Sequence, residues 1–362
     1  VSALVVWVNA VLALTAIQYL ERKGHWGRRP HPEVIAAFLL VALAFWWGVD
    51  RLRATPPGQP PLRVALIQTG IPQEEKWDEA TVSTIYARLR QLTLGALRAG
   101  KSDLIIWPET ALPDDVATSQ PSYDLVYELV TNGTPILVGS MDTFWPEQGH
   151  PIFYNSSFLF DVTGEPLEVY NKQHLVPFGE YIPLPRVLPF LKALTPIQES
   201  FSPGQTSTVF VLPGRATPFS VLICFEDTVP ALARRAVRGG ARLLINQTND
   251  AWFDPAAASR QHMIQSILRA VENGVPLVRV ANTGVSCVID RRGVVMARLE
   301  NETGGILFPG FNLAEVRPAP LQFPLTFYTR HGDLLPGLAG LLALALCLVL
   351  GAAAVRREAE GT

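Results

Sequence analysis

Three long uncharged runs bracket a stretch in which short apolar segments alternate with amphipathic ones. Residues 1–20 carry no charge, residues 34–49 lie uncharged between Glu33 and Asp50, and residues 336–355 are rich in Leu and Ala. A bilayer crossing takes about 20 apolar residues, with a lower limit near 17. The first and third runs meet that length. The second is short, but Trp46 and Trp47 at its end suit an interfacial anchor. The pattern predicts three regions: two membrane helices over 1–54, an extramembrane domain over 55–330, and a last membrane helix with a short tail over 331–362. A signal peptide is the competing reading of the first run. The chain starts at Val1 with no basic leader, which reads instead as an N-terminal cut, with further membrane helices expected before it.

Residues 55–61 carry four prolines and a glycine, a linker off the membrane. Residues 63–68 predict a short strand. Asp78 then caps a helix with Val82, Ile85, Leu89, Leu92 and Leu97 on one face, ending at Gly100. Residues 103–107 predict a buried strand closed by Pro108-Glu109-Thr110. A helix over 123–130 ends at Asn132-Gly133, and a strand over 136–138 follows. Residues 157–161 and 167–170 flank Thr163-Gly164, a hairpin pattern. Strand, helix and strand recur at 221–223, 232–237 and 242–246. An amphipathic helix over 255–271, a strand over 277–281 and a hairpin turning at Arg291-Arg292-Gly293 complete the series. This alternation is α/β, in one domain of about 270 residues.

Composition agrees with the membrane reading, since 48% of the 362 residues are hydrophobic. Arg22, Lys23, Arg28 and Arg29 lie between the first two runs, and Arg356 and Arg357 follow the third. Basic loops stay cytoplasmic, so the large domain is expected on the outer face; Arg51, Arg53 and Arg63 count against that side. A net charge of −2 gives no reason to expect nucleic acid. Three cysteines make no disulfide framework, and the six histidines show no ligand spacing, so neither a metal nor another cofactor is expected.

Three strand ends carry candidate chemistry. Cys224 ends the run Val221-Leu222-Ile223, and a helix beginning just beyond it would favour a thiolate. Glu109 follows the strand ending at Trp107 and could act as general base. Lys172 follows the strand ending at Tyr170, where an ammonium could stabilise an oxyanion. Each has a plain alternative: Cys224 as a small buried hydrophobe, Glu109 as a helix-cap acid, Lys172 as a surface cation. Together they supply base, oxyanion donor and nucleophile. Residues 174–204 form a long proline-rich stretch whose Leu, Val and Phe content points to lipid contact and a lid role, with a packed connector as the alternative. No G-x-S-x-G elbow, P-loop or G-x-G-x-x-G is present.

These residues sit in longer motifs. They include Gly70-Ile71-Pro72-Gln73 through Lys76-Trp77, Trp107-Pro108-Glu109-Thr110-Ala111, and Tyr170-Asn171-Lys172-Gln173-His174 through Pro177-Phe178-Gly179-Glu180-Tyr181. Others are Ile223-Cys224-Phe225-Glu226, Asn249-Asp250-Ala251-Trp252-Phe253 and Arg279-Val280-Ala281-Asn282-Thr283-Gly284. The chain resembles the nitrilase (carbon–nitrogen hydrolase) superfamily and, within it, the bacterial apolipoprotein N-acyltransferases. That resemblance implies a four-layer α-β-β-α sandwich flanked by transmembrane helices, on the periplasmic face of the inner membrane. It implies a Glu109-Lys172-Cys224 triad, with Glu180 and Glu226 as supporting acids, Trp77 on a substrate loop, and Asn249 and Phe225 beside the site. Phe225 departs from the Tyr usual in this family, and the family has more N-terminal membrane helices.

The reaction implied is acyl transfer from a membrane phospholipid to Cys224, and from that thioester to the α-amino group of a diacylglyceryl-modified apolipoprotein. Lys172 and a backbone N–H near Phe225 would hold the oxyanion. The rival readings are a membrane-tethered amidase acting on a small amide, and a non-enzymatic scaffold that retains the fold.

Overall fold

The computed structural model describes residues 2–21, 32–53, 59–76, 78–183, 200–252 and 256–360. Trp77, residues 184–199 of the proline-rich stretch, and Phe253 therefore lie outside the described residues. The chain divides into two compact units, Val1–Pro56 with Asp333–Thr362, and Pro57–Gly332.

The first unit holds helices α1 (Ser2–Glu21), α2 (Pro32–Arg53) and the last helix of the chain, α8 (Leu334–Glu360). Each contains a span long and apolar enough to cross a membrane: Leu4–Glu21, Pro32–Arg53 and Leu334–Ala353. Their large apolar side chains, such as Phe38, Phe45, Leu341 and Leu348, face outward. A helix apolar on every side fits lipid, whereas a water-facing helix shows one apolar stripe.

In the second unit, β1 (Leu62–Gln68) leads through a 3-10 turn (Glu79–Thr81) into α3 (Val82–Ala99), followed by β2 (Leu104–Ile106) and α4 (Gln120–Val130). Asp78 caps the 3-10 turn, accepting from the Ala80 N–H, rather than the α-helix itself. Then come β3 (Ile136–Phe144), β4 (Ile152–Phe160), β5 (Pro166–Asn171), β6 (Phe210–Val211) and β7 (Pro218–Ile223). The rest is α5 (Pro230–Arg238), β8 (Leu243–Thr248), α6 (Ala256–Asn273), β9 (Leu277–Ala281), β10 (Cys287–Ile289), β11 (Val295–Arg298), β12 (Gly310–Val316) and α7 (Phe327–His331).

The strands form two six-stranded sheets, ordered β12-β1-β2-β3-β4-β5 and β11-β10-β9-β8-β7-β6. Side chains alternate between the two faces of each strand, and along the central strands β2, β8 and β9 both faces are buried. Val64 and Leu66 of β1 point between the sheets and meet Val221 and Ile223 of β7 in one apolar cluster. Ala65 and Ile67 point the other way, into a cluster with Ile85 and Leu89 of α3 and Leu125 and Leu129 of α4. Across the molecule, Leu222 and Leu244 join Leu232 and Ala236 of α5 and Ala270 of α6. The result is the α-β-β-α sandwich.

Topology brings the strand ends together. β1, β2 and β3 are parallel, while β4 is antiparallel to β3 and β5 to β4. β5 therefore runs the same way as β2, and residues following either strand emerge at one edge. In the second sheet β7, β8 and β9 are parallel.

Candidate active site

Glu109 is set by a close backbone approach. Beyond β2, the Trp107 N–H donates to Leu137 O at 2.9 Å, and the chain turns so that Ala111 N–H reaches Gly139 O at 2.7 Å. A Cβ at position 139 would collide with the Pro108 carbonyl oxygen, so glycine is needed there. Lys172 is clamped in a similar way. Its N–H donates to Asn155 O at 2.8 Å, and its carbonyl accepts from Gly204 N at 2.8 Å.

The two side chains meet in the interior. Lys172 Nζ lies 3.2 Å from Glu109 Oε1 and 2.7 Å from Glu180 Oε1. Asn155 Nδ2 donates to the same two carboxylates, at 2.9 and 3.0 Å. Lys172 is 1% exposed, which eliminates the surface-cation reading, and Glu109 caps no helix. Burial pushes the Lys172 ammonium down, but the charges of Glu109 and Glu180 outweigh it and hold the group above its ordinary value. For Glu109, burial pushes up, and Lys172 and Lys76 more than offset that, leaving the carboxyl below its ordinary value. The resting pair is thus carboxylate and ammonium.

Cys224 follows β7 in the 3-10 turn Cys224–Thr228 with φ of 52°. Among the described residues, the non-glycine positive-φ positions are Cys224, Thr110 beside Glu109, and Phe178 near Glu180. Such conformations cost of order 1–3 kcal/mol and gather at functional sites. The expectation of a helix-stabilised thiolate is corrected here. α5 begins only at Pro230, and the thiol is buried. Burial and then the Glu109 charge push its pKa well up, with Lys172 opposing. Cys224 rests as a thiol.

Glu226 is fully buried and binds the two strand ends together. Its carboxylate accepts from Ile223 N at 2.7 Å, Gln173 N at 2.6 Å, His174 N at 3.1 Å and the Tyr170 hydroxyl at 2.9 Å. It positions the residues that flank Lys172 and Cys224 without bonding to either side chain. Glu180 also accepts from Val176 N at 2.8 Å. Asn249 lies outside this cluster, donating to Gln73 Oε1 and accepting from Asn282 Nδ2, both at 2.8 Å. The Phe225 ring stacks on His262, with centroids 4.7 Å apart. Of the apolar residues around 174–183, Leu175 and Ile182 are buried while Phe178 is half exposed, so the expected exposure holds for Phe178 alone of these.

Sequence reasoning missed Lys76 and Asn155 as site residues. Lys76 Nζ donates to Glu109 O at 3.2 Å and Thr110 Oγ1 at 2.5 Å. Burial lowers its pKa to about 8 against the charge of Glu109. Lys76 sits in a turn, where periodicity carries no information. Asn155 had a trace: the polar run Asn155-Ser156-Ser157 interrupts an otherwise apolar strand and is buried.

The carbon–nitrogen hydrolase family model matches residues 63–321. An apolipoprotein N-acyltransferase of Geobacter metallireducens is 37% identical over 86% of this chain and 58% of its own length. One of Chlorobaculum tepidum is 31% identical over 93% of this chain and 67% of its own. The chain spans well under two thirds of the Geobacter relative. Among solved structures, a Nesterenkonia amidase of the nitrilase superfamily aligns with a TM-score of 0.53 at 21% identity, covering 73% of this chain and 93% of that one. A branch 10 nitrilase-superfamily member of Saccharomyces cerevisiae aligns with the same score and coverage. The sandwich and a family match spanning nearly all of the second unit agree: this chain belongs to the carbon–nitrogen hydrolase family.

Proposed function

We propose that this chain is an acyltransferase that moves an acyl chain from a membrane phospholipid, through a thioester on Cys224, to the α-amino group of a diacylglyceryl-modified apolipoprotein. The observation that carries the reading is the buried Glu109–Lys172–Glu180 cluster, in which the Glu109 and Lys172 charges act on the Cys224 thiol with opposite sign. Three membrane-length helices among the described residues, and relatives named for this activity, support the lipid substrate over a small soluble one. The basic residues at 22–29 and 356–357 favour an arrangement with those loops in the cytoplasm and the catalytic unit on the outer face of the inner membrane.

The resting charge state dictates how the first step runs. The proton favours sulfur over Glu109, so a preformed thiolate is not the nucleophile. Glu109 removes the proton as the C–S bond forms, and negative charge passes to the ester oxygen, where the Lys172 ammonium and a backbone N–H near Phe225 stabilise it. The tetrahedral adduct collapses, the lysophospholipid alkoxide takes the proton from Glu109, and the thioester remains. The acceptor amine then attacks the thioester. Its proton passes by way of Glu109 to the departing sulfur, restoring the thiol.

Incubation with labelled phospholipid followed by intact-mass measurement tests this reading. A hydroxylamine-labile acyl adduct is expected, and Cys224→Ala abolishes it. Release of ammonia from small amides, with no adduct from phospholipid, would overturn it in favour of an amidase.

A further inference from the structure

Behind the Cys224 turn, charged side chains from four elements meet in the dry interior. Asp227 comes from the turn itself, Asp250 from the segment after β8, His262 from α6 and Arg279 from β9. The two aspartates and Arg279 are fully buried, and His262 is 5% exposed. Arg279 NH1 lies 3.0 Å from Asp227 Oδ2, and its NH2 lies 2.9 Å from Asp250 Oδ2. Two carboxylates against one guanidinium leave one negative charge to be compensated.

His262 stands between the same two carboxylates. Its Nε2 is 2.9 Å from Asp227 Oδ1, and its Nδ1 is 2.8 Å from Asp250 Oδ1. A carboxylate only accepts, and a neutral imidazole donates from one nitrogen, so both contacts are hydrogen bonds only in the doubly protonated ring. Arg279 NH2 also lies 2.9 Å from Nδ1 and has a second N–H that a neutral ring would accept, but that ring would turn the Nδ1 lone pair toward Asp250 Oδ1 at 2.8 Å and leave the cluster one negative charge in excess. Asp250 remains a carboxylate: burial pushes it up, yet Arg279 and His262 bring its pKa to about 2. With imidazolium, the four charges sum to zero.

This cluster reaches the nucleophile by two routes. The His262 ring carries the Phe225 ring in a near-parallel stack at 21°, directly after Cys224. Arg279 NH1 also donates to Asn246 Oδ1 at 2.6 Å, and Asn246 Nδ2 donates to the Cys224 carbonyl at 3.0 Å. Ser266 Oγ and Arg269 NH1 complete the Asp227 environment, at 2.5 and 2.9 Å, and Thr248 Oγ1 donates to Asp250 Oδ1 at 3.1 Å.

We propose that His262 is a positioning residue for the Cys224 turn, acting as an imidazolium bridge between Asp227 and Asp250 that holds Phe225 and keeps Cys224 in its left-handed conformation. The proposal rests on the reading of Cys224 as nucleophile, and it adds the group that sets the nucleophile's pose and electrostatic surroundings. The sign of its pH dependence follows from the carboxylates. Burial lowers the His262 pKa, but Asp227 and Asp250 more than offset that and raise it above the ordinary histidine value. The bridge is intact below that ordinary value and is lost as pH rises through the raised one.

The test is the rate of Cys224 alkylation by iodoacetamide in the full chain in detergent, read by peptide mass so that Cys287 and Cys347 are scored separately. His262→Gln removes the charge, which is expected to raise the thiol by about one pKa unit and slow Cys224 alkylation about tenfold. The double variant His262→Gln with Asp227→Asn restores neutrality, and is expected to recover to within about threefold of the original rate. A rate unchanged in His262→Gln, or a double variant slower than the single one, overturns the proposal. If His262→Gln does not fold, the pH profile decides. A break in alkylation rate above the ordinary histidine value in both the unaltered chain and Lys76→Met supports the bridge, and its absence overturns it. Alkylation reads the sulfur alone, so the result stands whether or not the phospholipid adduct forms.

Discussion

Two buried charge clusters flank the Cys224 turn, and each balances two carboxylates against two cations. In front, Glu109 and Glu180 face Lys172 and Lys76; behind, Asp227 and Asp250 face Arg279 and His262. Their chemistry is opposite. The rear carboxylates are held by a guanidinium, a bridging ring and a serine hydroxyl. The front cluster has looser partners: Glu180 keeps 12% of its side chain exposed and Glu109 8%, and Lys76 loses its charge at a pKa of about 8. A charge meant to stay fixed is over-determined by hydrogen bonds, whereas a charge meant to trade protons has fewer of them.

The largest expected effect separates the two clusters by activity rather than stability. Lys172→Met leaves two buried carboxylates without their shared cation, and Arg279→Met does the same behind the turn. Each is expected to cost about 3–5 kcal/mol in denaturant unfolding of the full chain. Thioester formation should fall by about a thousandfold or more in Lys172→Met, which loses the oxyanion partner, and by about 10–100-fold in Arg279→Met, which disturbs only support. Equal losses of activity at equal losses of stability would erase the distinction.

A smaller effect separates position from charge within the front cluster. Gly139→Ala changes no charge, but its methyl group collides with the Pro108 carbonyl and displaces Glu109. About 1–3 kcal/mol of stability should be lost. The rate of thioester formation should fall about 100-fold, because a general base must stay within hydrogen-bond reach. A variant that loses the stability but keeps the rate would mean that the Glu109 charge matters more than its place.

The front cluster was legible only in part and the rear one was not: Lys76, in a turn, and Asn155 were missed, and Glu180 came from the family resemblance alone. Glu109 and Cys224 follow apolar runs at the ends of β2 and β7, and Lys172 follows β5, which runs the same way as β2, so that Glu109 and Lys172 emerge at one edge of their sheet. Asp227, Asp250, His262 and Arg279 come from separate elements, and no spacing in one chain pairs them. β12 was missed for a related reason. It is a half-exposed edge strand, with Asn312 and Glu315 breaking its pattern, and its partner β1 lies some 250 residues earlier in the chain. The thiol was misread because a helix terminus was credited with more than burial. A 3-10 turn separates Cys224 from α5, and desolvation next to Glu109 prevails.

The smallest effect concerns Lys76, the one front cation poised to titrate. Its charge helps keep the Glu109 carboxyl below its ordinary value. As pH rises through about 8 that charge disappears, Glu109 gains proton affinity, and proton transfer from Cys224 becomes less uphill. Thioester formation should therefore rise by about threefold across that region, as expected for a shift of roughly half a pKa unit. Lys76→Met should start at the higher rate and lack this rise near 8. Stability gives a second reading with its own sign. Because the folded chain holds this proton less tightly than the unfolded one, stability should increase with pH between about 8 and the ordinary lysine value, and the slope should vanish in Lys76→Met. An inflection near 8 that survives the substitution would assign it to another group and leave Lys76 as a brace on the Thr110 turn alone.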